Sequence, residues 1–149
     1  MRIRRIDDAA ALKDALRVYG HEVTPLGAAR LLTNPTCHVL VAYSEDRDEL
    51  GTSGTPIGVV LATEVTARDL SVEMHIAWTA VQPIFRRLGV GSALVRAMLK
   101  LSRERGCALV RATIPPENQG GIHLMRAMGA AQEDVSINVS WEFAPLSEL

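Results

Sequence analysis

At 149 residues the chain has the usual size of one domain, and two independent cores would leave each half too small to be comfortably stable. With 48% apolar and 22% charged residues it belongs among globular chains and away from disordered ones. Sixteen Lys and Arg against seventeen Asp and Glu leave a formal net charge of -1, which argues against nucleic acid or an anionic membrane as partner.

The N-terminus, Met1-Arg2-Ile3-Arg4-Arg5-Ile6-Asp7-Asp8, has no apolar leader core, and no stretch approaches the roughly 18 apolar residues of a membrane span. A cytoplasmic protein is expected. Cys37 and Cys107 lie far apart without Cys-x-x-Cys or Cys/His ligand spacing, so two buried reduced thiols and no metal site are expected.

Arg2 to Ile6 reads as a short strand. Asp7-Asp8 then provide capping signals for a helix with an apolar stripe of Ala11, Leu12, Ala15, Leu16 and Tyr19, ending at Gly20. Thr24-Pro25 repeats the pattern of a cap followed by proline, and Leu26, Ala29, Leu31 and Leu32 carry a second helix to Asn34-Pro35. Cys37 to Tyr43 and Pro56 to Val65 are β-rich runs separated by the polar stretch Ser44 to Thr55. From Ser71 to Val81 the alternation predicts a strand with Val72, Met74, Ile76, Trp78 and Ala80 on one face and Glu73, His75, Ala77 and Thr79 on the other.

After Pro83 the period becomes helical, with Val90, Ala93, Leu94, Ala97, Met98 and Leu101 on one stripe that ends near Gly106. Cys107 to Ile114 is the next strand, Pro115-Pro116 breaks it, and Ile122, Leu124, Met125 and Met128 support a helix that stops at Gly129. Val135, Ile137, Val139, Trp141 and Phe143 alternate as a terminal strand that suits the core or an edge contact in a homodimer, and Ala131 to Glu133 leaves room for one more short strand. The order is β-α-α-β-β-β-α-β-α-β in a single domain, residues 1–149, without repeats or linkers.

The join between strand and helix carries the strongest chemical signal. Arg86-Arg87-Leu88-Gly89-Val90-Gly91-Ser92 follows a strand ending at Val81 and opens an amphipathic helix, which places unpaired backbone N–H groups at a helix N-terminus and makes an anion site. Gly89 and Gly91 let the backbone approach a ligand, Arg86 and Arg87 add positive charge, and Ser92 adds a hydroxyl donor. A P-loop is excluded because Gly-Lys-Ser/Thr is missing, and a dinucleotide fingerprint because the third glycine is.

Val81-Gln82-Pro83 and Arg86-Arg87-Leu88-Gly89-Val90-Gly91 resemble the signature of the GNAT superfamily of N-acetyltransferases, Arg/Gln-x-x-Gly-x-Gly/Ala. The resemblance implies an α+β fold, with a central mixed, mostly antiparallel sheet of six to seven strands flanked by about four helices, consistent with the element order read from the residues. It further implies acetyl-CoA as cosubstrate: the turn from Arg86 to Ser92 would hold the pyrophosphate and the backbone at Val81 the pantetheine arm. Asn118-Gln119-Gly120-Gly121-Ile122-His123-Leu124-Met125-Arg126-Ala127-Met128-Gly129-Ala130 resembles the family's downstream pattern, which adds Asn118 to the cofactor-binding set. Gly121 and Ala130 depart from that pattern as packing changes. Met125 stands where many members carry a tyrosine assigned to protonating the leaving thiolate, and a thioether has no proton to donate.

An alkylammonium acceptor has a pKa of about 10.4, so acyl transfer to an amine needs a base, a role histidine suits at neutral pH. His75 and Glu73 share the polar face of the strand leading into the turn, and His75 matches a position that carries a catalytic carboxylate or histidine in several GNAT branches. Glu64 is a reserve candidate, whereas His21, His38 and His123 read as structural or surface residues, with His123 alone placed to replace the missing acid. The expected function is direct acetyl transfer from acetyl-CoA to a primary amine of a small molecule or peptide in a ternary complex. The alternative is a non-catalytic acyl-CoA-binding module, which Met125 would permit.

Overall fold

The computed structural model describes residues 1–17, 19–20, 22–45, 54–133 and 137–144. Its elements are β1 (Arg2–Arg5), α1 (Ala9–Arg17), α2 (Pro25–Thr33), β2 (Cys37–Tyr43), β3 (Pro56–Thr66), β4 (Val72–Val81), α3 (Val90–Glu104), β5 (Leu109–Ala112) and α4 (Gln119–Ala127), with a short 3-10 turn at Pro83–Phe85. Val18, His21, Val135 and residues 46–53 of the loop after β2 lie outside the described residues.

Side chains start three of the helices. Asp8 Oδ1 accepts from Ala11 N at 2.8 Å, Thr24 Oγ1 from Gly27 N at 3.0 Å and Asn118 Oδ1 from Gly121 N at 3.0 Å, each satisfying an amide that the helix itself cannot. The sheet order is β1-β2-β3-β4-β5, antiparallel throughout except for the parallel β4–β5 pair. A parallel neighbour requires a crossover, and α3 supplies it.

Apolar residues cover both faces. One cluster packs Leu40, Ala42, Val60, Ala62, Met74 and Ile76 beneath Val90, Leu94 and Met98 of α3. The other packs Val39, Val41, Tyr43 and Val59 against Leu12, Ala15, Leu16 and Ala28 of α1 and α2. Leu94 and Met98 are fully buried, and each contributes about 1.5–3 kcal/mol by leaving water.

Three expectations need correction. The alternation along β4 breaks: Leu61 pairs with Trp78 but Ala62 with Ile76, so Ala77 is an extra residue in a β-bulge. Such a bulge reverses which face later residues occupy. Met74 and Ile76 therefore face α3, while Trp78 and Ala80 join the α1/α2 side. Second, the sheet has five strands among the described residues, with none at Ala131 to Glu133 or at residues 137–144. Ile137, Val139, Trp141 and Phe143 instead stand 73–89% exposed. Third, the free thiols of Cys37 and Cys107 are half-buried, not buried.

Beneath α3, His38 is fully buried. Arg5 Nη2 lies 2.7 Å from its Nδ1 and Glu64 Oε2 lies 3.0 Å from its Nε2. A guanidinium only donates, so Nδ1 accepts and the ring proton sits on Nε2, donated to Glu64. Burial pushes the His38 pKa below its ordinary value, opposed by the hydrogen bond to Glu64 and helped by the charge of Arg5. A neutral imidazole favoured by folding stabilises fully above the unfolded histidine pKa of about 6.5 and loses that contribution as pH falls below it. His38→Gln is expected to cost about 1–3 kcal/mol at neutral pH and to flatten the loss of stability on acidification through that range. Urea unfolding of both proteins at a series of pH values measures this, and parallel pH profiles would contradict it.

Candidate functional site

The site begins where β4 and β5 separate. Their parallel pairing ends at Ile76 and Ala112, and β4 runs on from Ala77 to Val81 with no partner along that edge among the described residues. Its other edge stays on β3, and Gln82 pins the strand's end: Gln82 N donates to Ile57 O and Gln82 Nε2 to Pro56 O, both at 2.9 Å. Thr79, within the open stretch, has a buried hydroxyl without a partner among the described residues.

The chain then passes through Pro83–Phe85 into an exposed turn, with Arg87 at φ 63° and Gly89 at φ 82°. The left-handed conformation costs a non-glycine residue about 1–2 kcal/mol, and residues held in it cluster at functional sites. Gly89 occupies the N-cap position of α3 without any side-chain cap. From Arg87 to Ser92, six consecutive backbone N–H groups have no acceptor among the described residues. They form a donor array at the positive end of a 15-residue helix.

Packing holds this array in place. A Cβ on Gly58 of β3 would fall 2.8 Å from both Leu94 Cδ1 and Val90 Cγ1, so glycine at that position lets the start of α3 sit directly on the sheet. A Cβ on Gly91 would lie 3.1 Å from Leu124 Cδ2 of α4. Val81 and the residues from Arg86 to Ser92 are thus brought together as the sequence suggests, with refinements. Arg86, Arg87 and Leu88 are exposed, whereas the Val90 side chain is core and contributes only its amide. Arg86 Nε donates to Val81 O at 3.3 Å. The Asn118 side chain caps α4.

Glu73 and His75 meet on the α1/α2 side of the sheet, with 3.0 Å between His75 Nε2 and Glu73 Oε1. Arg111 Nε of β5 donates to the same carboxylate oxygen at 3.1 Å, and Arg111 in turn pairs with Glu133. Hydrogen bonds from His75 and then Arg111 hold the Glu73 carboxyl below its usual pKa. An ionised Glu73 fixes the His75 proton on Nε2, leaving Nδ1 with a lone pair and no partner among the described residues. His75 lies one residue before the point where β4 and β5 part.

Glu64 does not join this pair. It sits opposite Met74 on the α3 face, bound to His38 and to Arg105 Nε, each at 3.0 Å. Burial raises its pKa, but the hydrogen bonds from Arg105 and His38 outweigh this and leave it lowered. The reserve role is therefore withdrawn on geometry. His123 is exposed on α4.

The structure adds two residues that the strand pattern conceals. Trp78 reaches the His75 side only because of the bulge, and Tyr19 packs edge-on against it, with ring centroids 5.6 Å apart at 85°. The Tyr19 hydroxyl is buried without a partner among the described residues. Burial pushes its pKa up to about 12, so the phenol remains protonated at neutral pH.

Similarity to known proteins agrees with this layout. The chain is 28% identical over 99 residues to an uncharacterized N-acetyltransferase of Methanocaldococcus jannaschii, covering 60% of this chain and 42% of that one. The chain thus spans less than half the length of that curated relative. Among solved structures it resembles an aminoglycoside acetyltransferase from an uncultured soil metagenomic sample, in complex with sisomicin (TM-score 0.81, 16% identity, 96% of each chain). It also resembles an aminoglycoside N-acetyltransferase AAC(6')-Iy in complex with CoA (TM-score 0.77, 19% identity, 95% of this chain and 100% of the other). At such identities the structural matches speak to fold. The model of the acetyltransferase (GNAT) family matches residues 8–130, and with the uncapped turn and parted strands just described, this chain belongs to the GNAT acetyltransferase family.

Proposed function

We propose that the chain transfers an acetyl group from acetyl-CoA to a primary amine, directly and within a ternary complex. The observation that carries this reading is the run of six unpaired amides from Arg87 to Ser92 beside the open edge of β4. The amides and the positive end of α3 suit a pyrophosphate, with Arg86 and Arg87 adding charge. The free edge from Ala77 to Val81 suits the amide groups of a pantetheine arm, which can pair with it as a short strand would. The orphaned Thr79 hydroxyl offers one more polar partner there.

His75 Nδ1 takes the proton from the acceptor ammonium. The freed amine attacks the thioester carbonyl, the C–N bond forms and the C–S bond breaks. Backbone donors at the free edge near Val81 stabilise the oxyanion. Glu73 holds the imidazole tautomer and stabilises the imidazolium that results. As the amide forms, its nitrogen loses a second proton, which water relays to the departing thiolate, because Met125 has no proton to donate. The acceptor enters from the α1/α2 side, where His75, Trp78 and Tyr19 lie. The sisomicin complex of a structural relative supports a small-molecule amine as acceptor, and a peptide amine fits the same chemistry.

Two variants separate donor binding from chemistry. His75→Ala is expected to lower kcat by about 10²–10⁴-fold with CoA affinity nearly unchanged, followed by thiol release across an amine panel and a pH series. An unaltered pH–rate profile would remove His75 from the mechanism. A CoA-induced thermal shift with no turnover on any amine would favour the binding module. Gly89→Ala meets no atom within 4 Å of its Cβ, so only the left-handed backbone opposes it. We expect CoA to bind about tenfold more weakly, a loss of ~1.4 kcal/mol, with the far-UV spectrum unchanged. Undiminished affinity by calorimetry would show that the turn does not hold the pyrophosphate.

A further inference from the structure

Among the described residues two side-chain oxygens are buried without a hydrogen-bond partner, Tyr19 Oη and Thr79 Oγ1. A buried hydroxyl left unpaired destabilises a fold, and valine would fill the space of Thr79 without that cost. Such an atom calls for an explanation in what the protein binds.

The bulge at Ala77 decides where Thr79 points. Beyond it Trp78 and Ala80 face α1 and α2, so Thr79 and Val81 face α3. Thr79 lies opposite Val60, which is fully buried in the cluster beneath α3. A Cβ on Gly91 would stand 3.7 Å from Val81 Cγ2 and 3.1 Å from Leu124 Cδ2, so the end of β4, the start of α3 and α4 converge on this side. Thr79 is also the middle residue of the open stretch Ala77–Val81. His75 and Glu73 occupy the opposite face.

We propose that Thr79 is a catalytic residue whose hydroxyl donates a hydrogen bond to the thioester sulfur as the thiolate departs. This role rests on the acetyl transfer proposed above. A pantetheine arm paired along the open edge ends in that sulfur, and the amine arrives from the His75 side, so nucleophile and leaving group lie on opposite faces of the strand. On the α4 side other donors are spent or absent: Met125 brings only a thioether, Asn118 caps the helix and His123 is exposed. Thr79 as a residue is half-buried, and a turn about χ1 between staggered wells carries Oγ1 towards the open edge. With no partner among the described residues, the hydroxyl breaks no hydrogen bond in turning. When the C–S bond breaks its electron pair stays on sulfur, the proton reaches sulfur through water, and Thr79 keeps its own. A hydrogen bond to a charged atom is stronger than one to a neutral atom, so the contact strengthens as the thiolate develops.

Thr79→Val removes the hydroxyl at nearly constant volume, and Thr79→Ser retains it. In Thr79→Val we expect kcat to fall about tenfold at an unchanged KM for acetyl-CoA, and the protein to melt no lower than wild type. Thr79→Ser should keep most of the rate. The ionisation of bound CoA gives a readout independent of turnover. It is followed by thiolate ultraviolet absorbance against the desulfo-CoA complex, so that the protein's own thiols cancel. The bound thiol should titrate about one pH unit lower in wild type than in Thr79→Val. CoA binding with the same thiol pKa in both proteins would overturn the role of Thr79 alone, as would an undiminished kcat in Thr79→Val. So would a Thr79→Val protein that melts well below wild type, or one that loses affinity for CoA and desulfo-CoA equally. A chain that binds neither compound would overturn the acetyl-CoA reading as well.

Discussion

β4 changes its surroundings halfway along its length. As far as Ile76 it is hydrogen-bonded on both sides, and from Ala77 to Val81 only β3 remains. Because β5 is parallel to β4, the chain has to cross over between them, and the helix that does so must begin just past the end of β4. The open strand edge and the helix N-terminus are therefore neighbours by topology. The bulge at Ala77 falls at the same point. Bulges bend a strand and strengthen its twist, which accounts for β4 and β5 losing register there instead of continuing to the strand's end.

The other helices show what is unusual about α3. Asp8, Thr24 and Asn118 supply side-chain caps to α1, α2 and α4, each worth about 1 kcal/mol. The longest helix has none. A Ser, Thr or Asp at its N-cap would satisfy an amide from within and occupy the space an anion needs. Gly89 instead leaves the amides open, and Gly58 beneath lets Val90 and Leu94 hold the first turn of the helix against the sheet. Rigid support under an unsatisfied donor array is what pre-organised anion binding requires.

The features that were legible in the sequence are the local ones. Caps, proline positions and the Gly89-x-Gly91 turn have short-range causes, and the structure places them where the residues put them. The bulge had no such signal: Ala77 fits a strictly alternating strand, and only the partner register on β3 shows that Trp78 and Ala80 belong to the His75 side. Glu64 failed as a candidate for a related reason: its face is fixed by its register with Met74 on β4, and its partners His38 and Arg105 lie 26 and 41 residues away, beyond any local window. The terminal alternation from Val135 to Phe143 was read as a strand of the core or of a dimer contact. Alternation reports that a segment is amphipathic, but the identity of the surface it covers is a tertiary or quaternary fact.

In the proposed function the two halves of the site are built from different materials, which bears on specificity. The donor half consists of main-chain amides on a turn and a strand edge, so most substitutions leave its chemistry intact provided Gly89 and the packing of α3 remain. The acceptor half is made of side chains: His75 with Glu73 on β4, and Trp78 against Tyr19 from the connection between α1 and α2. Tyr19 reaches Trp78 from outside the sheet, and a change in that connection moves the wall of the acceptor side without disturbing a single hydrogen bond of the turn. Donor recognition is thereby insulated from acceptor choice. If the proposed sites hold, a donor site built from backbone would tolerate changes in the acceptor wall that Tyr19 and Trp78 form.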